Sequence, residues 1–178
     1  MGFVHVHLIP YVHDVGFTYL TNAGAQFILA LVSIAGALLT GRVSDRIGRR
    51  RPMAVTFIWR GLAYLLLVLL GLWKSSWLLY AAVICMGLSW SSTVSLLATS
   101  CADLYGRRGQ GSVFGMVFGV MNWSSTLGAW IPGAMFDYSA SYRSALYLNV
   151  MVAWIASGVI LGIGEWWPRP QETRRPAV

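Results

Sequence analysis

Apolar residues in this chain do not alternate with polar ones; they run on. Segments free of Asp, Glu, Lys and Arg cover 15–41, 75–102, 109–136 and 144–164, and a further apolar segment, 52–73, is interrupted only by Arg60. An α-helix needs about 20 residues to cross about 30 Å of hydrocarbon, so each segment is long enough to span a bilayer. Continuous runs such as Ile28 to Val32 and Tyr64 to Leu70 lack the two-residue alternation of an outer-membrane strand. The pattern therefore predicts an all-α integral membrane protein with five complete transmembrane helices. Residues 1–13 are apolar apart from His5, His7 and His13, too short to cross, and without the basic start of a signal peptide. They read as the end of a sixth helix whose beginning is missing.

Composition excludes the main rival class. The chain is 57% hydrophobic and 11% charged, against about 25% charged in a soluble domain. Its net charge of +7 does not form a nucleic-acid stripe, because the basic residues fall between the apolar segments. Five arginines occupy 42–51, two occupy 103–108 and three follow residue 164, whereas the alternate connections carry Lys74 and Arg143 alone. Basic residues in short loops mark the cytoplasmic side, so the expected location is a plasma membrane, a bacterial inner membrane in particular, with the C-terminus cytoplasmic. Residues 1–164 form the helical bundle in this reading. Residues 165–178 form a disordered cytoplasmic tail that begins with the interfacial aromatic anchor Trp166-Trp167-Pro168.

Candidate chemistry is sparse. Cys85 and Cys101 lie 16 residues apart, roughly 24 Å along a helix and too far for a disulfide. The acids Asp14, Asp45, Asp103, Asp137, Glu165 and Glu172 are dispersed without histidine or cysteine partners, so neither an enzyme, a metal site nor a cofactor is expected.

The most specific segment is Gly41-Arg42-Val43-Ser44-Asp45-Arg46-Ile47-Gly48-Arg49-Arg50-Arg51-Pro52. Gly41 permits close helix approach, Gly48 can take the positive φ of a sharp turn, and Pro52 suits the first turn of the next helix. The arginines can bind lipid headgroups, while Asp45 can pair with them or face a helix N-terminus. A loop that is merely basic accounts for the arginines but for neither glycine nor the acid. The segment resembles the loop signature of the major facilitator superfamily, G-x-x-x-D-R-x-G-R-[RK]-[RK]. Three further segments are similar to the same family's monocarboxylate-transporter-like and oxalate/formate-antiporter-like branch. His7-Leu8-Ile9-Pro10-Tyr11 with Asp14 and Gly16 resembles the end of helix seven. Asp103-Leu104-Tyr105-Gly106-Arg107-Arg108 with Gly111 and Gly115 resembles the connection between helices ten and eleven. Gly128, Gly133, Asp137 and Tyr142 resemble the outer end of helix eleven, with Ala129 where that pattern often has proline.

The resemblance implies half of a twelve-helix secondary transporter, from late helix seven through helix twelve. It implies transport of a small solute, a small organic anion or metabolite, by alternating access, with lipid, the solute and an N-terminal half or second copy as partners. The other function to weigh is a non-transporting multispan remnant or assembly partner. Gly41, Asp45, Arg46, Gly48, Arg49 and Arg50 would form a conformational-switch loop. The segment 22–41, matching helix eight, carries no charged residue, although that branch often places a binding charge there.

Polar stripes supply the pathway candidates. At 100° per residue, Gly115, Gly119, Asn122, Thr126 and Gly133 fall within about 60° of one another. Packing through Gly115 and Gly119 accounts for the glycines, and a cavity wall for Asn122 and Thr126. Asn22, Gln26, Ser33 and Thr40 share a second face; Ser89, Ser92, Thr93 and Ser100 share a third. Such hydroxyls can equally bond their own helix. The resemblance puts these stripes on pore-lining helices, and adds His7 and Tyr11 from helix seven. The pathway set is thus His7, Tyr11, Gln26, Ser33, Ser89, Ser92, Thr93, Asn122 and Thr126. A histidine titrates near neutral pH, so His7 is a candidate carrier of coupling protons. The two-residue spacing of His5 and His7 puts them on different faces, against a metal site. Arg60 lies about 12 Å from the basic end of its helix; it can snorkel, pair helices or bind solute.

Overall fold

Every element among the described residues is an α-helix. A computed structural model of the protein describes residues 2–163, apart from the side chains of His5, Arg107 and Arg108. The expected tail at 165–178, its tryptophan anchor and the boundary after residue 164 lie outside the described residues. The elements are α1 (Gly2–Asp14), α2 (Tyr19–Ile47), α3 (Arg50–Trp73), α4 (Ser76–Ser139) and α5 (Arg143–Gly162).

Local sequence sets their limits. The Thr18 hydroxyl accepts the backbone N–H of Thr21 and caps α2. Gly48 ends that helix at φ 85°, as expected, and Pro52 falls in the first turn of α3, where its missing N–H costs nothing. α4 is broken at Gly106, where φ 67° and ψ 178° leave the helical region. A residue with a Cβ is disfavoured in that conformation. The break divides α4 into a first arm, Ser76–Gly106, and a second arm, 107–139. Leu78 and Leu79 at the start of the first arm share one buried cluster with Tyr142 and Leu146 just beyond the second. A straight helix would carry those ends about 1.5 Å apart per residue, so the arms must double back on each other.

Among the described residues, four helices are long and apolar enough to cross a membrane: α2, α3, the first arm of α4, and α5. The second arm, where a fifth complete span was expected, is not among them; Gln110, Ser112, Asn122, Ser124, Ser125 and Thr126 dilute its apolar residues. At 13 residues, α1 reaches about 20 Å and falls short of the hydrocarbon thickness, as expected.

α2 lies along α4, α3 lies against both α4 and α5, and α1 packs between α4 and α2. The α2–α4 contact is set by two glycines. A Cβ on Gly36 would stand 2.8 Å from the backbone of Leu88, and one on Gly87 would stand 2.8 Å from the Leu29 carbonyl oxygen. The backbones therefore touch, a separation no larger side chain permits. The close approach expected at Gly41 is not made within the described residues, with nothing within 4 Å of a Cβ there, although Thr40 beside it bonds Ser92 of α4. Gly115 and Gly119 likewise have nothing within 4 Å; the packing expected of that pair is not made within the described residues. The main core joins Phe3, Leu8 and Val12 of α1 to Tyr64 and Leu67 of α3, Leu79 and Val83 of α4, and Leu146 of α5.

Polar contacts gather three connections at one end of the bundle. Arg49, before α3, bonds Asp103 at the end of the first arm, and Arg50 Nε donates to the Ile160 carbonyl near the end of α5. Cysteine labelling in intact cells is accordingly expected to treat Arg50→Cys and Gly109→Cys alike, with Ser75→Cys and Ser141→Cys as the opposite set. The native cysteines are buried and should give little background. Arg50 and Gly109 on opposite sides would rule out this arrangement of helices.

Candidate functional site

A cavity of about 280 Å³ opens between three helices, lined by Val4 and Ile9 of α1, Gln26, Leu29, Ala30 and Ser33 of α2, and Trp90 and Ser91 of α4. Its wall is mainly apolar with a few polar groups, the composition of a small-molecule site. The Gln26 amide is half-buried and makes no hydrogen bond within the described residues. It offers a donor and an acceptor to anything that enters. Ser33 donates to the Ala30 carbonyl of its own helix at 2.8 Å and keeps its lone pairs. Two of the nine expected pathway residues, Gln26 and Ser33, therefore meet at this cavity.

The other expected residues lie elsewhere. Ser92 donates to Leu88 O and accepts from Thr40 at 3.0 Å, which ties α4 to α2. The Thr93 hydroxyl and the Ser89 backbone carbonyl accept from Arg60 of α3, while the Ser89 hydroxyl donates to the Met86 carbonyl of its own helix. Tyr11 is buried and donates to the Leu67 carbonyl, tying α1 to α3. Asn122 and Thr126 are exposed on the second arm and bond carbonyls one turn back. Arg60 does not snorkel; only 7% of its surface is exposed, and it pairs helices instead.

His7 joins α1 to the second arm. Its Nε2 is 2.8 Å from the Ala129 carbonyl oxygen, which can only accept, so Nε2 carries the proton. Nδ1 faces the Tyr142 hydroxyl at 3.4 Å. Pro132 lacks the N–H that would bond the Gly128 carbonyl, and so loosens the turn that presents Ala129. Close approach here needs Gly2, whose Cβ would meet the backbone of residues 125–129.

At the basic end, Arg49 is a hub. Nη1 donates to the Ser44 hydroxyl and the Asp45 carboxylate, and Nε donates to Asp103 at 2.9 Å. Burial alone would lower the Arg49 pKa, but hydrogen bonding to Asp103 and Asp45, and their charge, outweigh it and hold the value above that of a free arginine. A group whose folded pKa is raised contributes fully below its unfolded pKa, so the guanidinium side of this hub has no pH window near neutrality. Asp45 and Asp103 are 68% and 53% exposed, so each pair contributes at most about 1 kcal/mol and weakens with salt. The network positions the loop more than it stabilises the fold. Of the remaining loop residues, Arg46 is exposed and Arg50 reaches α5.

Residues 3–177 match the family model of the Major Facilitator Superfamily. The chain belongs to that superfamily. Among curated proteins, the uncharacterized MFS-type transporter YcxA of Bacillus subtilis (strain 168) is 27% identical over 164 residues, covering 90% of this chain and 39% of its own length. Monocarboxylate transporter 12 of Rattus norvegicus is 27% identical over 175 residues, covering 96% of this chain and 35% of its own length. The chain thus spans less than two fifths of the curated relatives it matches.

For this superfamily member, the residue that sequence reasoning missed at the cavity is Ser91. It makes no hydrogen bond within the described residues and lines the cavity where Ser92 was expected. The available signal was a neighbour one residue, or about 100°, off the chosen stripe. Only the position of α2 shows which of the two serines faces open space.

Proposed function

We propose that this chain forms one bundle of a secondary transporter, five complete spans and the end of a sixth, that moves a small organic anion or metabolite by alternating access. The second arm of α4 is the span that composition alone leaves out, and the basic end is cytoplasmic. The observation that carries the reading is the cavity between α1, α2 and α4, in which Gln26 and Ser91 present unused polar groups amid apolar walls. Such a wall suits a solute held by a few hydrogen bonds and released on opening. Membership of a transporter superfamily and the name of the rat relative support the solute class. His7, in its bridge to Ala129 and Tyr142, is the candidate for proton coupling. The partner is an N-terminal bundle or a second copy, in a plasma membrane.

Uptake of a labelled panel of small carboxylates, amino acids and sugars tests this in cells producing the chain beside a complementary six-helix bundle. A carboxylate should be taken up, and Gln26→Leu should remove most of that uptake. No uptake of any of them, with the chain verified in the membrane, would refute the proposal. In the same cells Asp45→Asn is expected to lower the uptake rate several-fold while equilibrium solute binding stays within about twofold, because Asp45 lies in the Arg49 hub and not in the cavity. Parallel loss of binding and rate would assign Asp45 to the solute site or to folding.

A further inference from the structure

The polar groups on the cavity wall differ in what they can offer. A serine hydroxyl has one proton and two lone pairs. The Ser33 proton is used by the Ala30 carbonyl of its own helix at 2.8 Å, so toward the cavity Ser33 can only accept. Gln26 and Ser91 can each donate or accept and make no hydrogen bond within the described residues. A carboxylate brings no proton, and against Ser33 it would set oxygen facing oxygen. A hydroxyl brings the donor that Ser33 lacks.

Spacing adds a second condition. Gln26 and Ser33 are seven residues apart on one face of α2, two turns or about 10 Å, and Leu29 and Ala30 line the wall between them. They cannot bond one atom. A zigzag chain advances about 1.3 Å per bond, so about six carbons with an oxygen at each end roughly cover that distance and lay methylenes on the apolar stretch. Among the described lining residues none carries a charge, and Arg60 instead bonds the Ser89 carbonyl and the Thr93 hydroxyl between α3 and α4. The wall therefore has no cation with which to prefer a carboxylate over a neutral polar group.

We infer that this cavity selects a straight-chain solute of about six carbons by a terminal hydroxyl, which donates to Ser33, while Gln26 bonds the other end whether that end is acid or alcohol. Ser33 is the specificity-determining residue, and a carboxylate on such a solute has its charge met by groups outside this wall. The inference rests on the reading of this cavity as the solute site.

The test is protection of Ala30→Cys from N-ethylmaleimide in the full chain in lipid nanodiscs, since Ala30 lies between the two polar positions and the native cysteines are buried. The probes are 6-hydroxyhexanoate, 1,6-hexanediol, hexanoate and 3-hydroxypropanoate. The first two should half-protect at concentrations within about threefold of each other. Hexanoate should need about three- to tenfold more, as loss of one neutral hydrogen bond implies, and 3-hydroxypropanoate, too short to reach both positions, should also need more. Adding Ser33→Ala should remove the advantage of the hydroxyl and leave hexanoate unchanged. No labelling at Ala30→Cys, no protection by any probe, hexanoate equal to 6-hydroxyhexanoate, or a hydroxyl preference that survives Ser33→Ala would overturn the inference. A diol more than tenfold weaker than the hydroxy acid would mean that the wall reads charge, and would overturn it too. Labelling needs no flux, so the two readings fail separately: uptake without this protection would keep the transport reading and sink the hydroxyl site, and protection without uptake would do the reverse.

Discussion

Gly36→Leu is expected to abolish the recovery of monodisperse, membrane-inserted protein, whereas Gly41→Leu leaves it unchanged. At Gly36 even a Cβ would stand 2.8 Å from both the Cα and the carbonyl oxygen of Leu88. The obstacle is helix backbone, which cannot turn aside as the end of a side chain can, so α2 and the first arm of α4 would have to separate. Gly87 lies at the same crossing and meets Leu29 and Val32 in return; separation there would also part the Thr40–Ser92 hydrogen bond. Overpacking a tight site costs about 1–3 kcal/mol and at times more, from a total stability of only about 5–15 kcal/mol. Leucine adds three further carbons to a place with no room for one. At Gly41 there is open space within 4 Å, and a larger apolar side chain there meets no obstacle. Fluorescence size-exclusion chromatography after heating both variants decides the matter. Equal midpoints would show that the α2–α4 crossing is not held by these glycines.

The same two glycines mark the limit of what the sequence revealed. The turn glycine at 48, the proline at 52 and the reversal near 106 were legible because each depends on backbone geometry that the local residues specify. Four of the five expected spans were legible because hydrocarbon thickness converts directly to residue count. Neighbours were not. Periodicity grouped Ser89, Ser92 and Thr93 on one side of a helix, but the fold gives the three hydroxyls different partners, Arg60 for Thr93, Thr40 for Ser92 and the Met86 carbonyl of the same helix for Ser89. Ser91, off the stripe, reaches the cavity. Arg60 is the sharpest case: the rise per residue gave its depth, but whether it reached to the interface or turned inward was settled by acceptors on α4, far away in sequence. Tyr11 shows the same, since it is buried between α1 and α3 with its hydroxyl on the Leu67 carbonyl, whereas the resemblance implied a place on the pathway.

Residues 1–178 reconstituted by themselves are expected to insert in proteoliposomes and to show no saturable uptake above protein-free vesicles. Insertion needs only length, apolarity and loop charge, which α2, α3, the first arm of α4 and α5 supply. Flux needs more. The cavity takes its walls from α1, α2 and α4 alone, and alternating access requires a second body to rock against the first. The surfaces that such a body would cover are visible. Along α2, Phe27, Leu31, Ile34 and Leu38 stand exposed at helical spacing, and on the second arm Trp123 is 77% exposed beside the polar Asn122, Ser124 and Thr126. Those three side chains bond carbonyls of their own helix, which limits the cost of meeting lipid but leaves the Asn122 oxygen without a described partner; such a group costs free energy in hydrocarbon. The chain should therefore self-associate or take up a complementary bundle when one is offered. Cross-linking at Trp123→Cys would detect the contact, and uptake measured on the same vesicles would show whether flux appears with it. Saturable uptake by a demonstrated monomer would mean that one wall suffices, and the rocking mechanism would fall.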